Sequence, residues 1–287
     1  MTNRMLGAIE LGGTKTRLAV GTHDGQIVKD AVFPTGRPDA CFATVRQFFV
    51  DNPVSAIGIG AFGPVAVEPT AANYGRIGNT PKAGWSGFHI RDALAPLGVP
   101  LAIDTDVNVA LLGEARRGAA AGHPVAVYLT VGTGIGGGLI VDGRLVHGLL
   151  HPEMGHLQVM RAHGDNFSSL CRFHAHCVEG LASGPAIEAR FGQPLNCFAE
   201  NHISRELVAN YLGQLCVAII LITSAEIIVI GGGVSKTDGL HILVEKSIIR
   251  LLNGYICEDS NAIVRVKAPA LGDFSGIIGA FSLVESL

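Results

Sequence analysis

Residues 6–32 read LGAIELGGTKTRLAVGTHDGQIVKDAV, and residues 125–147 read VAVYLTVGTGIGGGLIVDGRLVH. Each opens with an apolar, strand-like run, Leu6–Leu11 in one and Val125–Val131 in the other. Each continues through a glycine turn that holds a threonine: Gly12-Gly13-Thr14-Lys15, and Gly132 to Gly138 with Thr133. A second run follows, Thr16–Gly21 or Leu139–Val141, then Asp24-Gly25 or Asp142-Gly143, then a third run, Gln26–Val32 or Arg144–His147. Asp-Gly between short apolar runs is a tight hairpin signal. Two segments built alike imply a duplicated domain plan.

The glycines exclude two familiar nucleotide folds. GxGxxG is present at Gly132, Gly134 and Gly137, but a strand follows it where a dinucleotide fold needs a helix. No GxxxxGK[ST] occurs, so there is no P-loop. A glycine turn still lets backbone N–H groups crowd round an anion, because no Cβ intervenes. Thr14 and Thr133 add hydroxyl donors and Lys15 adds charge. One such turn reads as a turn; a matched pair reads as a grip on the phosphates of a nucleotide. A third cluster, Gly231-Gly232-Gly233, follows a strand-like run, Ile227–Ile230. It reads equally as a strand-to-helix turn and as a seat for a flat ring.

At 287 residues the chain can bury two cores or one large one. A formal net charge of -3 gives no argument for a nucleic-acid surface. No basic stretch, signal peptide or targeting motif is visible, so a soluble cytoplasmic protein is expected. The run LCVAIILITSAEIIVI (215–230) is interrupted by Thr223, Ser224 and Glu226. It predicts a buried helix ending near Ile222 and a strand at Ile227–Ile230, not a membrane span. Cys41, Cys171, Cys177, Cys197, Cys216 and Cys257 are scattered except for the pair at 171 and 177, which argues against a disulfide framework.

Two groups of residues carry candidate chemistry. Asp104 and Asp106 stand between a strand-like run, Pro100–Ile103, and a helix-like stretch, Asn108–Arg116. Carboxylates at the carboxyl end of a strand in an open α/β sheet point to where ligands bind. Either aspartate could instead cap the helix, and Asp104 suits that role better. The second group is Cys171-x-x-His174-x-x-Cys177, which with His156 makes a Cys₂His₂ set suited to Zn²⁺. His151, His163 and His176 are competing ligands, although His176 would point away if His174 and Cys177 both faced a metal. Glu114 and Glu188 read as structural, and Trp85 as either core or pocket wall.

Several motifs together resemble the ROK sugar kinases. They are Glu10-Leu-Gly-Gly-Thr-Lys15, Gly132-Thr-Gly-Ile-Gly-Gly-Gly138 and Gly231-Gly-Gly-Val234. Asn79-Thr-Pro-Lys-Ala-Gly-Trp85, Asp104-Thr-Asp-Val-Asn108, His151-Pro-Glu-Met-Gly-His156 and the stretch from Cys171 through Glu179 to Pro185 resemble the bacterial fructokinase branch. The resemblance runs from about Ala8 to Asp273. Arg172 stands where proline is common and Ser275 where alanine is common; Glu10 is what the branch also shows.

The resemblance implies an actin-like, ribonuclease-H-like fold of two α/β domains with a cleft between them. Residues 1–114 with 272–287 would form the smaller domain, and residues 115–271 the larger. It implies a homodimer that phosphorylates D-fructose at the 6-hydroxyl with ATP and Mg²⁺. Asp106 would be the general base. Asn79, Asn108, Asp106, Glu153, His156 and Glu179 would bind the sugar. Gly12, Gly13, Thr14, Lys15, Gly132, Thr133, Gly134, Gly136, Gly231, Gly232 and Gly233 would bind ATP. His156, Cys171, His174 and Cys177 would hold Zn²⁺. The alternatives are a kinase for mannose, glucose or an N-acetyl hexosamine, and a sugar-sensing regulator. A regulator would need a DNA-binding segment before the first glycine turn, where only nine residues precede Glu10.

Overall fold

The computed structural model describes residues 5–256 and 265–285, which leaves Cys257 outside. The chain divides into two compact units. One comprises Met1–Ala121, His147–His151 and Asp273–Leu287; the other comprises Gly122–Val146 and Pro152–Gly272.

The first unit is built on a five-stranded sheet. Its strands are β1 (Leu6–Leu11), β2 (Lys15–Gly21), β3 (Ile27–Pro34), β4 (Ile57–Ala61) and β5 (Leu101–Thr105), in the order β3-β2-β1-β4-β5. The first three form an antiparallel meander, and β4 and β5 then add in parallel to β1. Leu11, Ala61 and Thr105 stand in register, so three parallel strands end at one edge. The helices here are α1 (Pro38–Asp51), α2 (Ile90–Leu94), α3 (Asp106–Arg117) and the last helix, α8 (Ser275–Val284). Pro38 starts α1, where its missing N–H costs nothing. Trp85 is wholly buried among Phe42, Phe62 and Phe88, and its indole N–H donates to the Gly36 carbonyl. It is a core residue.

Glycines let α8 approach its neighbours at backbone distance. A Cβ on Gly279 would lie 1.7 Å from the Val109 carbonyl oxygen in α3, and one on Gly58 would lie 1.8 Å from that of Ala280. The wholly buried Glu114 closes the same seam, accepting from Ser275 Oγ at 2.7 Å and from the Ala119 amide at 2.6 Å. Its structural role agrees with the sequence reading.

The second unit repeats the plan. Its strands are β6 (Val125–Val131), β7 (Ile135–Val141), β8 (Arg144–Leu145), β9 (Ile227–Gly231) and β10 (Arg265–Lys267), in the order β10-β9-β6-β7-β8. Again three antiparallel strands come first, and two parallel strands add to the first of them. The helices are α4 (Val178–Ala182), α5 (Gly184–Phe191), α6 (Ile203–Thr223) and α7 (Leu240–Leu252). By length and composition α6 could cross a membrane. However, its Val208, Leu212, Leu215, Cys216 and Ile219 belong to the core of this unit, so burial accounts for that face, while Ile203, Leu221 and Ile222 near its ends are exposed.

Three local expectations need correction. Gly136, Gly137 and Gly138 are strand residues of β7, paired with Thr130, Leu129 and Tyr128, and not part of the turn. At Gly137 the missing side chain serves close packing: a Cβ there would lie 2.4 Å from Met154 Sδ. The third strand of that meander stops at Leu145, and His147 joins the first unit. Finally, Thr105 and not Asp104 caps α3, its Oγ1 accepting from the Asn108 amide at 3.1 Å, while Asp104 is a strand residue of β5.

Candidate active site

In the first unit the common end of β1, β4 and β5 gathers the residues of interest. The turn after β1 closes with the Gly12 amide donating to the Lys15 carbonyl at 3.1 Å. Thr35 Oγ1 donates to the Gly12 carbonyl at 2.7 Å, and Lys82 Nζ donates to that of Gly13 at 2.5 Å. Gly13, Thr14 and Lys15 are exposed. Asp106 begins α3 directly beyond β5 and is partly buried, with Oδ1 accepting from the Val107 amide at 2.9 Å. Burial, and then the nearby Glu10 carboxylate of β1, push Asp106 up to about 7. Burial also raises Glu10. A carboxylate held near neutrality at the end of a strand can take a proton at physiological pH.

Asn108 lies two residues further along and is wholly buried. Its Nδ2 donates to Asp104 Oδ1 at 2.8 Å, and Asp104 Oδ2 lies 2.8 Å from His147 Nε2. Asp104 raises the His147 imidazole above its ordinary value. Sequence reasoning missed His147 because its partner stands 43 residues away. Asn79 is exposed in the loop just before Thr80, whose amide donates to Ser86 Oγ.

In the second unit, β6 and β9 run parallel, and Thr130 is paired with Gly231. The turn Gly132–Gly134 and the cluster Gly231–Gly233 therefore leave the sheet side by side. Gly232 has φ 89°, and a Cβ there would lie 2.4 Å from the Val131 carbonyl oxygen. Both its conformation and its surroundings call for glycine.

The segment around His156 pairs by backbone with the segment around Cys177. Val159 donates to His176, and Val178 donates to Leu157. This pairing brings together one nitrogen each from His156 and His174 and the sulfurs of Cys171 and Cys177, all four within 4.8 Å of one another. Cys171 Sγ lies 3.8 Å from His156 Nδ1 and 3.6 Å from His174 Nδ1. A tetrahedral Zn²⁺ site spaces nitrogen and sulfur ligands about 3.6 Å apart, so the donors fit that ion in type, number and spacing. Burial, with Cys171 beside it, pushes the Cys177 thiol up to about 11; a bound divalent cation would act in the opposite direction. His176 is engaged elsewhere, its Nδ1 accepting from Arg161 Nε at 3.0 Å.

Glu179 connects this cluster to the second glycine turn. Its Oε2 accepts from the Ile135 amide at 2.9 Å, and its Oε1 lies 3.9 Å from His156 Nε2. His156 thus turns Nδ1 to the cluster and Nε2 to Glu179. Glu153 is exposed, and its carbonyl accepts from the His156 amide at 3.0 Å.

A family model described as the ROK family matches residues 6–286. The chain is 39% identical to a fructokinase of Zymomonas mobilis, over 98% of this chain and 96% of that protein. It is 37% identical to a fructokinase of Pediococcus pentosaceus, over 98% of each. Among solved structures it is similar to a ROK hexokinase from Thermus thermophilus, with a TM-score of 0.78, 25% identity and 97% of each chain covered.

Proposed function

The chain belongs to the ROK family, and we propose that within it this protein is an ATP-dependent fructokinase. It has the actin-like ATPase fold of two α/β domains. It transfers the γ-phosphoryl group of ATP to the 6-hydroxyl of D-fructose, giving fructose 6-phosphate and ADP. Similarity to fructokinases along 98% of the chain supports the choice of sugar. The observation that carries the chemistry is Asp106, a carboxylate raised to about 7 at the end of β5.

Asp106 accepts the proton of the 6-hydroxyl as that oxygen attacks the γ-phosphorus. The new O–P bond forms while the bridging O–P bond breaks, and ADP leaves. The turn residues Gly13, Thr14 and Lys15, and the turn residues Thr133 and Gly134, are assigned to the phosphates, while Gly12 and Gly132 spend their amides on closing the two turns and Gly136 lies in the strand that follows the second. Mg²⁺ enters with the nucleotide as MgATP. Gly231, Gly232 and Gly233 seat the nucleoside.

By likeness to the fructokinases we assign the sugar-binding role to Asn79, Asn108, Asp106, Glu153, His156 and Glu179. Glu179 spends one oxygen on the Ile135 amide and keeps acceptor capacity for a hydroxyl. Zn²⁺ at His156, Cys171, His174 and Cys177 would have four protein ligands and no open position, so it would supply structure and not chemistry. With Nδ1 bound to the ion, His156 would carry its proton on Nε2, the nitrogen that faces Glu179. The family likeness supports a cytoplasmic homodimer.

A coupled ADP-release assay with MgATP across a panel of hexoses tests the reading. Fructose is expected to give the highest kcat/KM, with mannose weaker. A tenfold preference for glucose or an N-acetyl sugar overturns the fructose assignment and leaves the kinase class standing. No ADP release with any hexose overturns both.

A further inference from the structure

Asp104, Asn108 and His147 form a polar cluster around one buried carboxylate. Asp104 is only 4% exposed, so each of its bonds replaces water that it has lost. Its Oδ1 accepts from the Thr105 amide at 2.7 Å and from Asn108 Nδ2 at 2.8 Å, and its Oδ2 lies 2.8 Å from His147 Nε2. An ionised carboxylate only accepts. His147 therefore carries a proton on Nε2, and Asn108 turns its amide nitrogen to Asp104.

Three of these groups lie on the short stretch that presents Asp106. Asp104 is the next-to-last residue of β5, Thr105 is the cap of α3, and Asn108 is in the first turn of α3. His147 alone comes from a distant part of the chain. The segment His147–His151 belongs to the first unit although the residues on either side belong to the second. Its far end also packs there, the His151 ring lying 3.6 Å from where a Cβ on Gly63 would stand.

We infer that His147 is a positioning residue for Asp106: by donating to Asp104 it holds strand end, cap and first helical turn in one geometry, and so aims the base. The inference rests on the kinase reading, in that Asp106 must be the base. Removing His147 leaves a buried carboxylate short of an ionisable donor, and the strand end must shift or admit water to compensate.

The test uses the full chain and compares His147→Leu, His147→Gln, Asp104→Asn and the double variant His147→Leu/Asp104→Asn. His147→Leu should lower kcat roughly 10–100-fold, the scale of a misaimed catalytic group, while the KM for ATP stays within about twofold. Glutamine can also donate from Nε2, so His147→Gln should recover most of the lost kcat. The double variant should be no slower than Asp104→Asn alone, because both changes break one link. A merely structural His147 would lower Tm and leave kcat unchanged. The inference is overturned if His147→Leu keeps wild-type kcat, if His147→Gln loses as much as His147→Leu, or if the two substitutions add independently. Should His147→Leu fail to fold, the kcat of Asp104→Asn and of His147→Gln decides: normal turnover in the first, or severe loss in the second, overturns it. Wild-type turnover on the hexose panel tests the fructokinase reading separately. The ratio of variant to wild type on the preferred hexose tests His147 whichever hexose that is, and a wild type that phosphorylates none overturns both.

Discussion

Asp106 must be ionised to act, in a position that disfavours its charge. With its carboxyl raised to about 7, kcat/KM should fall tenfold per pH unit below about pH 7 as the base is protonated. Asp106→Asn should lower kcat about 10²–10⁴-fold. Stability should move the other way. The folded-state value lies above the unfolded value of about 3.9, so the folded protein binds the extra proton. Its stability falls as pH rises from about 4 to 7 and stays lower above that. Asp106→Asn removes this burden and should raise Tm at pH 8 by about 2–4 °C, with little gain at pH 4; a lower Tm at pH 8 would contradict the burial account. The position of Asp106 could be read from an apolar run followed by an acidic residue and a helical pattern. Thr105 as the cap could not, because Asp104, Thr105 and Asp106 are all good caps, and only the three-dimensional pairing of Asp104 with His147 removes it from contention.

At the scale of elements, two packing arrangements make separate predictions. The loop joining His156 to Cys177 should carry one zinc per chain by elemental analysis. Chelation or Cys177→Ser should lower Tm and abolish activity, and Mg²⁺ should not restore it; zinc-free purified protein with a normal sugar KM would refute the site. Repeating spacing made this set legible, since Cys-x-x-His-x-x-Cys presents three donors from one loop. The seam between α3 and α8 was not legible. No pattern within Ser275–Val284 announces that Gly279 meets the Val109 carbonyl, because the partner lies in another helix. Gly279→Ala must force the helices apart and should cost about 1–3 kcal/mol, seen as a lower Tm. An unchanged Tm would mean that the seam is looser than the 1.7 Å clearance implies. The glycines of β7 misled for a related reason: glycine marks both turns and close approaches, and only the neighbour, Met154, distinguishes them.

At the scale of the whole molecule, the doubled plan could be read from its two meanders, where each strand follows its partner after a tight turn. The parallel strands β4, β5, β9 and β10 could not be ordered that way, because their partners lie across long connections. The sequence order of these parts has a consequence during synthesis. The last helix packs on β1, β4 and α3, yet residues 122–272 intervene before it is made. At about 5–20 residues per second, the first sheet leaves the ribosome with Gly58 and its neighbours uncovered for on the order of ten seconds or longer. Residues 122–272 contain the whole of the second unit, which can therefore close its core before the unit that started first. The half of the protein that holds the proposed base is the first to be translated and the last to be finished, and during that interval its bare sheet is the part most in need of a chaperone.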